Sequence, residues 1–272
     1  MRIRYTGSAE RKAVMIFLRS LASAFLMYSR IPVPSVEWKE ENRRYALCFF
    51  PLVGVVVGML FLLWRYVCLR FGVGGLLTGA VSAAVPVLIT GGIHFDGFCD
   101  VIDASSSYAD RSKKLQIMSD PHIGSFASVY AVLFLLVQTA AMSEVSSAEG
   151  IAVVSLGFVL SRALSGIGAV CFKSARSSGA LHSFVMPAHR KITLLVLALT
   201  AVSSVFAMML LSFIAGLTAA VGALCCFAYY RFFSYKNFGG VTGDLAGWFL
   251  QLCELVILLA VTAAEKIMEV LL

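Results

Sequence analysis

Residues 72–106 read GVGGLLTGAVSAAVPVLITGGIHFDGFCDVIDASS, an apolar run that turns acidic towards its end. The apolar part, residues 72–91, is long enough to cross a bilayer as a helix, because about 20 apolar residues span its hydrocarbon core. The part that follows, residues 91–106, carries three aspartates within eight positions. This order predicts a membrane-spanning helix with an acidic segment at one end.

The rest of the chain repeats the apolar pattern. Hydrophobic residues make up 60% of it, charged residues 14%, and the mean hydropathy is +0.88. Such values are typical of a polytopic membrane protein and exclude a soluble domain. We therefore expect an all-α helical bundle, a single integral-membrane domain over residues 1–272 with about seven transmembrane helices. The predicted spans lie near residues 45–64, 72–91, 125–142, 150–171, 192–211, 213–230 and 246–264.

Residues 1–44 form a separate N-terminal segment. Four basic residues precede an apolar run from Val14 to Tyr28, which Arg19 interrupts, and no clear cleavage site follows. The segment therefore differs from a signal peptide and predicts an amphipathic helix lying at the membrane interface. A spanning helix is the alternative.

The distribution of Lys and Arg predicts the orientation in the membrane. Outside the predicted spans, 18 of them lie on the side of the N-terminus and three on the opposite side. Because cytoplasmic loops carry the excess of positive charge, we expect the N-terminal side to face the cytoplasm of a bacterial inner membrane. The acidic segment would then also face the cytoplasm. The net charge of +7 is explained by these loops and requires no nucleic-acid partner.

The acidic segment predicts a metal site. At 100° per residue, Asp96, Asp100 and Asp103 fall within roughly a 60° arc of one helix face. Like charges placed together repel one another, and a shared cation relieves that repulsion. Mg²⁺ prefers oxygen ligands and usually keeps substrate phosphates among them, so the three aspartates suit a metal-bridged diphosphate. A solvated acidic loop is the alternative.

Other polar residues follow or flank this segment. Asp120 stands before Pro121, where a helix should stop, and is either a turn residue or a further metal ligand. His94 and His122 each lie two residues from an aspartate. Each is structural, a proton acceptor or a phosphate-binding group. Asp110 is expected to cap a helix that begins at Arg111.

Basic and glycine-rich positions complete the pattern. Arg162 lies within a predicted span, where a guanidinium lines a polar cavity or pairs with a carboxylate, such as that of Glu254 in the last span. Arg176 is suited to holding phosphate or else marks the cytoplasmic edge. The turn over residues 239–244 has three glycines, which let backbone N–H groups approach an anion. Its Asp244 is a candidate metal ligand or helix cap.

Several separated stretches resemble the cobalamin synthase family, and they extend over nearly the whole chain. They are Ser29–Pro34, Phe50–Gly54, Gly91–Asp103, Met118–Phe126, Ser161–Ala163, Ala175–Arg176 with Gly179, and Gly240–Asp244 with Glu254. The chain departs from the family pattern at Ala104–Ser107 and at Leu250–Gln251.

The resemblance implies the last assembly step of the lower nucleotide loop of cobalamin. In this reaction α-ribazole, or its 5′-phosphate, displaces GMP from adenosylcobinamide-GDP with the help of Mg²⁺, and the product is adenosylcobalamin or its 5′-phosphate. The residues expected to act are Asp96, His94 and Asp100 in catalysis, Asp96, Asp100, Asp103 and Asp120 in Mg²⁺ binding, and Arg30, Arg162, Arg176, His122, Gly240, Thr242 and Asp244 in substrate binding.

Two other classes of membrane protein are alternatives. A lipid enzyme similar to the CDP-alcohol phosphotransferases also has spaced aspartates, but its Asp-x₂-Asp-Gly-x₂-Ala-Arg pattern is absent. A transporter or cation channel would use Asp96, Arg162 and Glu254 inside the membrane. The concentration of acidic residues at one predicted face disfavours a path through the bilayer. The sequence leaves the oligomeric state open, a homo-oligomer included.

Overall fold

The computed structural model describes residues 6–176 and 179–271. Within these ranges the chain is helical, and the only β-type pairing is a parallel bridge between Ser174 and Val241. The helices are α1 Thr6–Tyr28, α2 Glu40–Arg43, α3 Phe50–Phe71, α4 Gly75–Thr90, α5 Ile93–Ser106, α6 Arg111–Ile117, α7 Ser125–Glu144, α8 Ala148–Cys171, α9 Ala180–Val185, α10 Arg190–Leu211, α11 Phe213–Phe238 and α12 Gly243–Leu271.

The number of membrane-spanning helices agrees with the sequence-based expectation of an all-α membrane bundle. Six helical segments in the described ranges are long and apolar enough to cross a membrane, and the pair α4 and α5 adds a seventh if it is counted as one broken span. The six are Glu40–Phe71, Ser125–Glu144, Ala148–Cys171, Arg190–Leu211, Phe213–Phe238 and Gly243–Leu271. The fold class is therefore confirmed.

The predicted span over residues 72–91 needs a correction. Its helix, α4, has 16 residues and is too short to cross the bilayer by itself. The chain bends by 96° between α4 and α5. Gly91 and Gly92, with φ angles of 65° and 79°, make this bend, since residues with side chains rarely adopt such angles. The acidic segment thus forms a separate helix, α5, that runs at a steep angle to α4.

Helix α8 lies at the centre of the bundle. It packs against α3, α10 and α12, and most of its side chains are buried. Glycines of α3 permit close contacts with α8: a Cβ atom at Gly58 would lie 2.8 Å from the carbonyl oxygen of Ser155. Small residues allow such close approach of membrane helices.

Helix α1 includes the predicted interfacial run. Its apolar part, Val14–Tyr28, is too short to span a membrane. Its C-terminal end is buried, and Tyr28 packs against Phe50 and Phe184 with ring centroids 4.2 and 5.6 Å apart. The end of α1 is therefore attached to the bundle next to α5.

Two buried charged residues, Arg65 and Glu265, stabilise the opposite end of the bundle, near the C-terminal end of α3. Arg65 donates hydrogen bonds to the carbonyl of Met142, at 2.9 Å, and to that of Val145. The carboxylate of Glu265 accepts one from the backbone N–H of Ser146 at 3.1 Å. These contacts satisfy the ends of α7 and α8, which lack partners within their own helices. Both charges therefore have structural partners.

Candidate active site

The N-terminus of α12 lies directly against the acidic helix α5. A Cβ atom at Gly97 would lie 2.7 Å from the carbonyl oxygen of Asp244 and 2.9 Å from its Cα atom. The backbone of Asp244 therefore contacts α5 between Asp96 and Asp100. The acidic segment and the glycine turn, which are far apart in sequence, meet at this point.

Several carboxylates surround Asp100. Asp96, Asp103 and Asp244 lie close enough to repel its negative charge, while Arg176 lies close enough to attract it. Asp96 is exposed, and Asp100 is half-buried. Such an arrangement favours a bound cation, because like charges in a partly buried site repel one another.

Arg176 supplies the positive charge beside this cluster. Its Nη1 atom lies 3.7 Å from the carboxylate of Asp244. Its Nη2 atom donates to the carbonyl of Leu115 at 2.6 Å and to the hydroxyl of Ser119 at 3.0 Å. The guanidinium thus connects α6 with the start of α12. Ser119 was missed by sequence reasoning, because a serine hydroxyl carries no local signal of a partner so far along the chain.

Asp103 has a structural role that the helical spacing does not reveal. Its two carboxylate oxygens accept hydrogen bonds from the backbone N–H groups of Gly124, at 2.6 Å, and Ala127, at 2.9 Å. A carboxylate is well suited to this place, because the first N–H groups of a helix have no partner within it. Asp103 therefore holds the start of α7, and its metal-binding role stays a prediction.

Asp120 lies in the exposed turn between α6 and α7. It accepts a hydrogen bond from the backbone N–H of His122 at 3.0 Å, and its carboxylate lies 2.7 Å from the Nδ1 atom of His122. These hydrogen bonds hold the pKa of Asp120 below its ordinary value, so the carboxylate is ionised at neutral pH. The prediction of a turn residue is confirmed. Asp110 caps α6 as expected, accepting from the N–H of Lys113 at 2.8 Å.

The four predicted metal ligands are not gathered into one group. In the described part of the chain, no group of three or more His, Cys, Asp or Glu side chains is arranged to hold a metal ion. Asp96 and Asp100 do lie on the same face of α5, one turn apart. Two carboxylates with room for phosphate oxygens and water fit Mg²⁺, which is rarely enclosed by protein ligands alone.

An open cleft of about 990 Å³ lies over this face of α5. Asp96, Asp100 and Asp120 line it, together with Arg30 and the glycines of the bend. Arg30 packs across Gly91, where a side chain would collide with the guanidinium stem. The cleft is large enough for an extended substrate, and it places three carboxylates and one guanidinium along its walls.

The other predicted substrate-binding residues lie outside the cleft. The fully buried Arg162 donates to the carboxylate of Glu254 at 2.7 Å, which confirms the interpretation of a structural pair. Gly240 permits a close approach to Lys173, and a side chain there would collide with its carbonyl oxygen. Thr242 accepts from the N–H of Leu245 at 3.2 Å and so caps α12.

His94 is buried in an aromatic environment. It is 6% exposed, and its ring centroid lies 5.7 Å from that of Phe50 and 6.2 Å from that of Tyr28. Its Nε2 atom is buried and has no hydrogen-bond partner among the described residues. His94 does not line the cleft, so its role as the proton acceptor stays a prediction that this position does not favour.

A family model described as cobalamin-5-phosphate synthase matches residues 20–262. The chain belongs to this family. A relative from Lachnoclostridium phytofermentans, named adenosylcobinamide-GDP ribazoletransferase, is 42% identical over 253 residues, covering 93% of this chain and 97% of that protein. Relatives with the same name from Pseudomonas fluorescens and Clostridium perfringens strain 13 are 35% and 30% identical, over 89% and 88% of this chain and 97% and 95% of their own. No solved structure matches the chain.

This membership agrees with the resemblance inferred from the acidic segment and the flanking stretches. Gly97, between two acidic residues of that segment, is a residue of the candidate site whose importance sequence reasoning missed. A glycine inside a helix costs about 1 kcal/mol relative to alanine, which is a signal that another backbone approaches closely. The partner of that contact, Asp244, could not be inferred from this signal.

Proposed function

We propose that this chain is a membrane-embedded transferase that moves adenosylcobinamide phosphate from adenosylcobinamide-GDP to α-ribazole or its 5′-phosphate. An oxygen–phosphorus bond forms between a ribose hydroxyl and the phosphorus linked to cobinamide. The bond from that phosphorus to GMP breaks, and the hydroxyl proton passes to a base. Membership of the family, together with names of relatives that align over nearly their whole length, supports this reaction.

The observation that carries the assignment of the site is the presence of Asp96 and Asp100 on the wall of the large cleft. Both lie at its surface, and a carboxylate within hydrogen-bond reach of the hydroxyl accepts its proton. Because His94 lies outside the cleft, the proposed acceptor is a carboxylate oxygen of Asp96 or Asp100 that does not coordinate the cation proposed below. Arg30, which lines the same cleft, is proposed to bind phosphate oxygens.

Mg²⁺ is the proposed cofactor, with Asp96 and Asp100 as its protein ligands. When bound, it would neutralise the negative charge that grows on the leaving phosphate. Asp120 lies on the rim of the same cleft and is ionised at neutral pH, so it adds to the negative field that attracts a cation. Binding is tested without the reaction by measuring Mn²⁺ affinity by electron paramagnetic resonance in the wild type and in Asp96→Asn.

The membrane orientation is also part of the proposal. We place the protein in the bacterial cytoplasmic membrane with the cleft facing the cytoplasm, because the excess of Lys and Arg lies on that side. A cysteine introduced at Ser128, near the start of α7, should react with a membrane-impermeant thiol reagent only after the cytoplasmic side is exposed. Labelling of this cysteine in intact cells would contradict the proposed orientation.

The reaction itself is tested with membranes that contain the full chain. Supplied with adenosylcobinamide-GDP, α-ribazole and Mg²⁺, they should release GMP in a one-to-one ratio with the cobalamin product. Omission of α-ribazole should abolish GMP release. Release of GMP at the same rate without α-ribazole would indicate a hydrolase and contradict the transfer.

A further inference from the structure

A second, smaller cavity lies behind the acidic helix. Its volume is about 110 Å³, and it is lined by the end of α1, the starts of α3, α5, α9 and α12, and the C-terminal part of α8. Tyr28, Phe50, Leu181 and Ala169 form an apolar part of its wall, and Ser165 and Asp244 are polar members of the lining. Asp96 lines both this cavity and the large cleft, so the two spaces meet at the proposed catalytic carboxylate.

One polar atom in this apolar surrounding has no partner within the described part of the chain. His94 lines the cavity, and its Nε2 atom is buried without a hydrogen bond to any described residue. A buried polar atom without a partner is costly, and a bound group that supplies the partner removes that cost. The occupant is therefore expected to be apolar and flat, with one hydrogen-bonding atom.

We propose that this cavity binds the base of the nucleoside acceptor, an uncharged bicyclic aromatic ring with an apolar edge. This inference rests on the proposed function, in which the acceptor is α-ribazole, whose base is dimethylbenzimidazole. In that nucleoside one ring nitrogen remains free, and it accepts a hydrogen bond from the Nε2–H of His94. The two methyl groups lie against the apolar wall.

The alternative occupant, the guanine of adenosylcobinamide-GDP, fits less well. Guanine has no apolar edge. Asp96, Ser165 and Asp244 on the wall could accept from its N–H groups, but its acceptor atoms would face Tyr28, Phe50 and Leu181 and be left largely unpaired. Sites that leave buried polar groups unpaired reject a ligand strongly. The volume also limits the occupant, because about 110 Å³ is less than the roughly 150 Å³ of a cavity that holds one benzene ring. The cavity therefore takes only the methylated edge of the base, and the rest of the ring and the ribose lie outside it beside Asp96.

The proposal is tested by filling the cavity. Ala169→Leu enlarges a side chain on its wall. We expect the KM for α-ribazole to rise at least about tenfold, since one methylene in an apolar pocket changes selectivity by roughly 10- to 200-fold. The KM for adenosylcobinamide-GDP should change less than about twofold. The riboside of benzimidazole, which lacks the two methyl groups, should become the preferred acceptor.

A second variant enlarges another residue of the lining. A Cβ atom at Gly243 would have no described neighbour closer than 3.9 Å, the Cβ of Leu181, so Gly243→Val adds volume to the wall without a steric conflict at its Cβ. It should shift acceptor preference in the same direction. The matched control is Ala201→Leu, which enlarges a side chain in an apolar groove between α8, α10 and α11, away from both spaces. It should leave both KM values unchanged.

The outcomes separate this proposal from the function on which it rests. If the wild type transfers and both variants fold with an unchanged preference between the two acceptors, the cavity does not bind the base. A rise in the KM for adenosylcobinamide-GDP alone would assign the cavity to the other substrate. If the wild type releases no GMP, the proposed function fails. Calorimetric titration of the full chain with α-ribazole then still tests the cavity. Weaker binding of α-ribazole by Ala169→Leu than by the wild type supports the cavity as its site, and equal or absent binding contradicts it.

Discussion

The contact at Gly97 gives the sharpest test of the site geometry. In an ordinary helix interior, replacing glycine by alanine stabilises the helix by about 1 kcal/mol. At Gly97 the added Cβ would lie 2.7 Å from the carbonyl oxygen of Asp244, whereas ordinary contacts begin at 3.4 Å. The start of α12 must therefore move away from α5 by about 0.7 Å, the difference between these two distances.

This displacement predicts two effects of Gly97→Ala. Overpacking of this kind costs about 1–3 kcal/mol, so the variant should unfold at a lower temperature despite the better helix former. The shift also separates Asp244 and the attached Arg176 from the carboxylates of α5. A misplacement near 1 Å costs about 10²-fold in rate, and we expect the turnover rate to fall about 10- to 100-fold.

The assay combines thermal unfolding of the detergent-purified protein with the rate of GMP release. Gly75→Ala is the matched control, because its Cβ would have no described neighbour closer than 3.9 Å. That variant should retain both stability and rate. A stabilised, fully active Gly97→Ala would refute the inference that α5 and α12 touch at the site.

Three further predictions follow from individual contacts. Asp103→Asn weakens the cap of α7 and should lower the free energy of unfolding by about 1–2 kcal/mol in thermal unfolding, with kcat reduced less than about threefold. Loss of activity in a stable variant would indicate that Asp103 binds the metal. Glu254→Gln leaves the Arg162 charge without its anion and should lower the free energy of unfolding by about 3–5 kcal/mol in thermal unfolding. Replacing both Arg162 and Glu254 by Met should restore most of that stability. His94→Phe keeps an aromatic ring but removes the ring nitrogens, and it should raise the KM for α-ribazole about fivefold with kcat nearly unchanged. His94→Gln should recover part of the affinity. A turnover rate lowered by about a hundredfold or more in both variants would instead identify His94 as a general base.

The fold was predictable to the extent that it depends on hydropathy. Runs of apolar residues identify membrane helices because the bilayer leaves few alternatives for the backbone. The bend between α4 and α5 is different, since it depends on two consecutive residues in the left-handed conformation. Gly91 and Gly92 permit this conformation, but their presence alone did not predict a change in direction of 96°.

Parts of the site were predictable from the same physics. A guanidinium buried in a span needs an anion, and Glu254 was a candidate partner of Arg162 for that reason. The role of Asp103 was not predictable from spacing, because its partners Gly124 and Ala127 belong to another helix. The small cavity was also not predictable, since several helices that are distant in sequence form its walls.

The measurement that tests the central claim most directly is GMP release by the purified full chain in the wild type and in Asp96→Asn. The substitution keeps the size of the side chain and removes its negative charge. We expect kcat to fall by at least about 10²- to 10³-fold, with unchanged thermal unfolding and weaker Mn²⁺ binding.

Asp110→Asn is the matched control, because Asp110 caps α6 and does not line the cleft. It should retain the wild-type rate. If Asp96→Asn releases GMP and forms the cobalamin product as fast as the wild type, Asp96 takes no part in catalysis, and the account of the site is wrong.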